Sequence, residues 1–222
     1  ATYCWATVGN NASRFSGNFM PGKTNGPIDA TSSSITPLYA SQFDLGEGYK
    51  MAGAASVTTL NLSIPTPHFV SGTMNARLKT ASIGVSKNTP HNLKLLFNGS
   101  EKTNVSYGIS DIKHLDISVP SSELIATNTL GFSHYSTGAV DEFGVPYWQI
   151  EYPRNWDFSG LDFFTFKLEA NASNQYVEIN NFNHGGVAPK LYDQTNNKYY
   201  IGDISVLGKT RFYIDPSLTA IE

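Results

Sequence analysis

Tyr147-Trp148-Gln149-Ile150-Glu151-Tyr152 decides the fold. Trp148, Ile150 and Tyr152 lie on one side of an extended chain, with Tyr147, Gln149 and Glu151 on the other. That two-residue period belongs to a strand with one buried face. The same alternation spreads outward in both directions. Downstream, Phe164, Phe166 and Leu168 alternate with Thr165 and Lys167, and Val177 and Ile179 share a face ahead of Asn180-Asn181. Lys190-Leu191-Tyr192 and Tyr199-Tyr200-Ile201 flank an Asn196-Asn197 turn and read as a hairpin, and a last strand covers 210–214. Upstream, alternating apolar sets occur at Leu130 and Phe132, at Leu115, Ile117 and Val119, at Met74, Ala76 and Leu78, and at Leu60, Leu62 and Ile64. Leu93, Leu95 and Phe97 run into Asn98-Gly99, a strong hairpin-turn signal. A single helical turn is expected, at 122–125.

Composition agrees with this pattern. The 222 residues include 19 Gly and 11 Pro, are 13% aromatic and only 15% charged, and so suit short strands joined by turns better than long helices. About ten to twelve strands at close spacing, with no fixed repeat, predict an all-β fold: an antiparallel, jelly-roll-like β-sandwich. The expected organisation is an N-terminal strand in 1–15, an aperiodic loop or linker over 16–40, the sandwich over 41–183, and a C-terminal hairpin and strand in 184–222. The N-terminal strand (2–8) and the strands of 190–214 are expected to pair as a small accessory sheet apart from the sandwich.

Several function classes are excluded. With 15 Lys and Arg against 18 Asp and Glu, and no basic stripe, nucleic acid is not an expected partner. No apolar run is long enough to span a membrane as a helix. The single cysteine, Cys4, rules out an internal disulfide framework. It sits in an apolar strand pattern and reads as a small buried hydrophobe rather than a nucleophile. The chain starts at Ala1 with no leader pattern behind it, and reads as a processed or excised chain.

Candidate chemistry is sparse. His68, His91, His114, His134 and His184 have no metal-ligand spacing, and no Gly-x-Ser-x-Gly setting holds a serine nucleophile. No catalytic residue is assigned, and the expectation is a protein that is not an enzyme. Asp141, Glu142 and Asp157 are the carboxylates that would gather a structural Ca²⁺, a hard cation that wants clustered oxygens; no other cofactor is expected. Aromatic side chains remain as a binding surface. Trp148 falls on the core face, whereas Tyr147 on the opposite face and Trp156 in a turn after Pro153-Arg154-Asn155 are the candidate sugar-stacking residues.

Some stretches resemble a known arrangement. Tyr3-Cys4-Trp5-Ala6-Thr7-Val8-Gly9 is similar to the short strand that opens the region upstream of gingipain-like cysteine peptidases. The strands around Leu60, Arg77 and Leu93 resemble the sandwich that follows it there. Tyr147 to Arg154 is similar to that family's Trp-x-x-Ile strand with an Arg beyond, and Leu191-Tyr192-Asp193-Gln194-Thr195-Asn196 to its handover strand. The family is the surface peptidases and sortases of type IX secretion in Bacteroidetes. Its aromatic Gly-Trp-Phe-Gly stretch after the first strand is absent here. The resemblance implies a non-catalytic segment of an exported protein, at the cell surface or periplasmic and outer-membrane-associated, packed against a neighbouring domain of the same polypeptide, with the His–Cys catalytic half beyond Glu222. A carbohydrate-binding module with a glycan partner is the alternative, and an adhesin or pilus-type subunit the second.

Overall fold

Two antiparallel sheets face each other across an apolar layer, and a second, smaller core lies beyond the C-terminal end of one central strand. The computed structural model describes residues 1–11, 18–19, 49–50, 52–55, 59–84, 90–108, 111–135 and 142–222. In chain order its strands are β1 (Cys4–Asn11), β2 (Asn18–Phe19), β3 (Tyr49–Lys50), β4 (Ala52–Ala55), β5 (Thr59–Pro65), β6 (Asn75–Gly84), β7 (His91–Phe97) and β8 (Ser100–Tyr107). There follow β9 (Ile112–Pro120), a 3₁₀ turn (Ser121–Glu123), β10 (Thr127–His134), β11 (Glu142–Val145) and β12 (Tyr147–Arg154). The last are β13 (Gln175–Asn180), β14 (Lys190–Asp193), β15 (Lys198–Ile201) and β16 (Lys209–Ile214). Apart from 18–19, the loop expected over 16–40 lies outside the described residues. Among these residues no helix is long and apolar enough to cross a membrane.

The larger sheet runs β1-β12-β6-β11-β4, with β9 on the other edge of β6; the smaller runs β5-β10-β7-β8. The all-β antiparallel sandwich is as expected from the period. Alternate residues of each sheet point inward, so Leu78, Ile150 and Tyr152 of the larger meet Leu95, Phe97 and Phe132 of the smaller in one fully buried cluster. Asn98 (φ 49°) and Gly99 (φ 82°) both take positive φ between β7 and β8, the requirement of a two-residue hairpin turn that Asn-Gly meets. Asn128, 1% exposed, ties the same end together. Its Nδ2 donates to Thr66 Oγ1 (2.8 Å) and Ile125 O, and its Oδ1 accepts from Ile125 N and Asn98 Nδ2 (both 3.0 Å).

The accessory sheet expected from 2–8 and 190–214 does not form. β1 pairs with β12 over its whole length, from Cys4↔Arg154 to Asn11↔Tyr147, and is the outer strand of the sandwich sheet. β14 and β15 pair with each other. A strand has two edges, and here the second edge of β1 meets the C-terminal part at one point, where Trp5 and Lys167 exchange both backbone hydrogen bonds at 2.9 Å. Cys4 accordingly packs in the smaller core and Ala6 in the larger. The smaller core also takes strand β13, which pairs with β16 (Val177↔Phe212, Ile179↔Thr210), so strand pairing changes hands after Arg154 rather than at 183.

Candidate functional site

The two proposed sugar-stacking rings are inside the protein. Tyr147 is 7% exposed: its hydroxyl lies 3.3 Å from His114 Nδ1, and burial, with the Asp116 charge adding, pushes the phenol up. Trp156, expected in an open turn, is 6% exposed. Its Nε1 donates to Ala1 O at 3.1 Å, and its ring meets Phe166 edge-on at 5.1 Å. Neither presents a free face. Trp148 is in the larger core, as its side of β12 predicted.

Of the three carboxylates, Glu142 and Asp157 lie far apart. Asp141 lies outside the described residues. Glu142 begins β11 and Asp157 follows β12; β11 and β12 lie in line along β6, which puts on the order of 40 Å of strand between the two positions. Asp157 is already committed to local donors. Its Oδ1 accepts from Ser159 N (2.8 Å) and its Oδ2 from Asn181 Nδ2 (3.0 Å), and these, the Ser159 N–H foremost, hold its carboxyl below the usual range. Among the described residues no group of three His, Cys, Asp or Glu side chains could hold a metal.

Folding does bring together groups that spacing had kept apart. His91 and His134 meet at the end of the smaller sheet with ring centroids 5.7 Å apart, His134 stacks on Phe143 at 3.9 Å, and Tyr107 Oη lies 3.2 Å from His134 Nε2 and 2.7 Å from Ser82 Oγ. All are buried, a satisfied polar island in the sandwich. At the surface, His68 Nε2 and Ser159 Oγ are 2.5 Å apart. This pair lacks the rest of an acyl-transfer site among the described residues: no carboxylate orients the His68 ring by a hydrogen bond, and the Gly160 N–H is given to Asn181 O. Arg154, 4% exposed, closes the junction between the two cores; its Nη2 donates to Asp157 O (2.7 Å) and its guanidinium lies 4.7 Å from the Phe164 ring centre.

The C-terminal part holds an apolar groove of about 490 Å³. Its floor is Phe158, Phe164, Phe166, Ile179, Phe212 and Ile214, and its flanks are 162–166 and the chain from Pro189 through β14 to Gln194. Phe158 and Phe164 lie 4.4 Å apart at its centre. The sequence offered the Phe164/Phe166/Leu168 alternation as its signal, but that alternation reads as an ordinary strand. In the structure 162 is a bend, and among the described residues 163–166 joins no strand ladder. The exposed surface of this part is apolar too. Of the twelve large hydrophobic side chains that are exposed among the described residues, ten belong to 161–222, including Phe163 (77%), Leu207 (99%) and Leu218 (87%). Tyr176 with Tyr213, and Tyr192 with Tyr199, form exposed cross-strand aromatic pairs.

Comparison with known proteins adds fold likeness. No family model and no curated protein matches the chain. Among solved structures, dimeric latent PorU from Porphyromonas gingivalis matches over 100% of this chain with a TM-score of 0.58 and 10% identity. This chain spans 20% of that one's length. The insecticidal delta-endotoxin Cry8Ea1 from Bacillus thuringiensis matches 49% of this chain and 20% of its own at 14% identity, with a TM-score of only 0.30. At 10% identity, what this chain has in common with PorU is a fold.

Proposed function

We propose that the chain is a non-catalytic accessory region of an exported bacterial surface protein, and that its C-terminal part, 155–222, packs against a neighbouring domain. The observation that carries this reading is the asymmetry of the surface. Scattered exposed apolar residues are ordinary, but ten of twelve within one part, which also holds an apolar groove, mark a part made to be covered. The sandwich, by contrast, exposes only Ile125 and Tyr135 among its described large hydrophobics. The resemblance to the region upstream of gingipain-like peptidases supports a peptidase-like domain as the partner, and the likeness to one fifth of PorU supports a place within a longer protein. The commitment of Tyr147, Trp156 and Asp157 to internal contacts favours this reading over a glycan-binding one.

The test is association of separately produced parts. The 222-residue chain should bind the remainder of the protein in a calorimetric titration. Tyr176→Ser with Tyr213→Ser should weaken that binding about tenfold or more while leaving the thermal midpoint within a few degrees. Unchanged affinity in the double variant, or no binding by the native chain, would contradict the proposal.

A further inference from the structure

The groove has the form of a missing strand. At its closed end, Leu168 and Ile221 exchange both backbone hydrogen bonds, Leu168 N to Ile221 O at 2.8 Å and Ile221 N to Leu168 O at 3.0 Å, as an antiparallel pair. The next residue turns its carbonyl the other way: Glu222 O accepts from Gln194 N at 2.7 Å. Ile221 and Glu222 therefore already lie between the two flanks of the groove, bonded to one on each side, as in a central strand. Beyond them the flanks continue with no described residue bonded between them. On one side, Lys167 bonds to Trp5 and Leu168 to Ile221, and the same alternation directs the backbone groups of Phe164 and Phe166 at the gap. Among the described residues, no backbone group of 162–166 has a backbone partner. On the other side, β14 has β15 along one edge and, among the described residues, no strand along the other. Open edges over an apolar floor are the requirements of strand addition.

We propose that this groove receives a β-strand of the neighbouring domain, running antiparallel to 162–166 in line with Ile221 and Glu222. This rests on the reading of 155–222 as a covered surface and names what covers its groove. Register follows from the Leu168–Ile221 pair. The side chain of Ile221 is 5% exposed and faces the core, so alternate residues of the added strand point down onto Phe164, Phe166 and Phe212 and should be apolar. Those between face away from the floor and are free to be polar.

A chain lengthened directly after Glu222 by Val-Thr-Val-Thr-Val-Thr, each Val with the parity of Ile221, tests this by amide hydrogen exchange. The Phe164 and Phe166 amides should exchange about tenfold or more slowly than in the native chain, while Phe163 and Thr165 keep their rates. A Gly-Ser tail of the same length should leave all of them unchanged. Unchanged Phe164 and Phe166 amides in the Val-Thr chain, or protection on Phe163 and Thr165 instead, overturn the proposal. Protection that rises with concentration in the native chain overturns it too, by giving the groove to a second copy. None of these readouts needs the neighbouring domain, so the groove can fail while the proposed domain contact stands.

Discussion

Cys4 offers a sharp test of how the two cores are joined. It is 0% exposed at the point where β1 leaves the sandwich and enters the smaller core. Burial pushes its thiol up from 9.0 to about 12, outweighing the nearby Arg154 charge that lowers it. In the unfolded chain Cys4 ionises near pH 9; in the folded chain it holds its proton to about 12. Between those values the unfolded state binds fewer protons, so stability falls as pH rises. The gap between 9.0 and about 12 is worth about 4 kcal/mol when fully expressed. Cys4→Ala removes this dependence at a fixed cost of about 1 kcal/mol from lost apolar burial. Urea unfolding from pH 8 to pH 11 is the assay. The variant should be the less stable protein at the low end and the more stable one at the high end. The Tyr152 phenol is pushed up above all by burial, which both chains share; only the smaller contribution of the Cys4 charge is lost in the variant. Curves that run parallel across the range would refute the placement of Cys4 in a closed junction.

Other outcomes follow from the packing. Trp156→Ala should lower stability by about 3–5 kcal/mol, because the ring is held by Phe166 and Ala1 rather than offered to a ligand; a cost below 1 kcal/mol in chemical denaturation would contradict its burial. Asn128→Leu should cost about 2–4 kcal/mol in the same measurement by stranding its partners around the Asn98 turn, and a neutral result would mean that the turn does not depend on it. Glu178, bonded by Lys209 above all and by Tyr176 and Arg211, has its carboxyl held down at about 2; a side-chain NMR titration should find it ionised well below pH 4, and a midpoint near 4.5 would mean that this cluster on β13 and β16 is open in solution.

Local features were legible in the sequence because they depend on near neighbours. Alternation along Tyr147 to Tyr152 gave β12 and the core side of Trp148, and the Asn98-Gly99 and Asn196-Asn197 pairs placed two hairpins. The helical turn expected at 122–125 is a 3₁₀ turn at Ser121–Glu123. What stayed hidden depends on distant partners. Backbone edges carry no side-chain signature, so nothing in 2–8 says that its first partner is β12. Trp156 follows a turn-rich stretch, and the atom that satisfies it belongs to Ala1, 155 residues earlier. The change of core after Arg154 is set by β13 pairing across two turns and a hairpin to β16. The groove escaped because the Phe164/Phe166 alternation announces an ordinary strand, whereas among the described residues 163–166 joins no ladder.

The central claim, that 155–222 is covered by a neighbouring domain, can be measured by thiol labelling. Leu207→Cys, Leu218→Cys and Ile125→Cys would be reacted with a maleimide in the 222-residue chain and in the longer protein that contains it, with buried Cys4 silent in each. The account predicts rapid labelling of all three in the short chain. In the longer protein, labelling at Leu207 and Leu218 should slow about tenfold or more, with Ile125 on the sandwich unchanged. Equal rates at Leu207 and Leu218 in both proteins would contradict it.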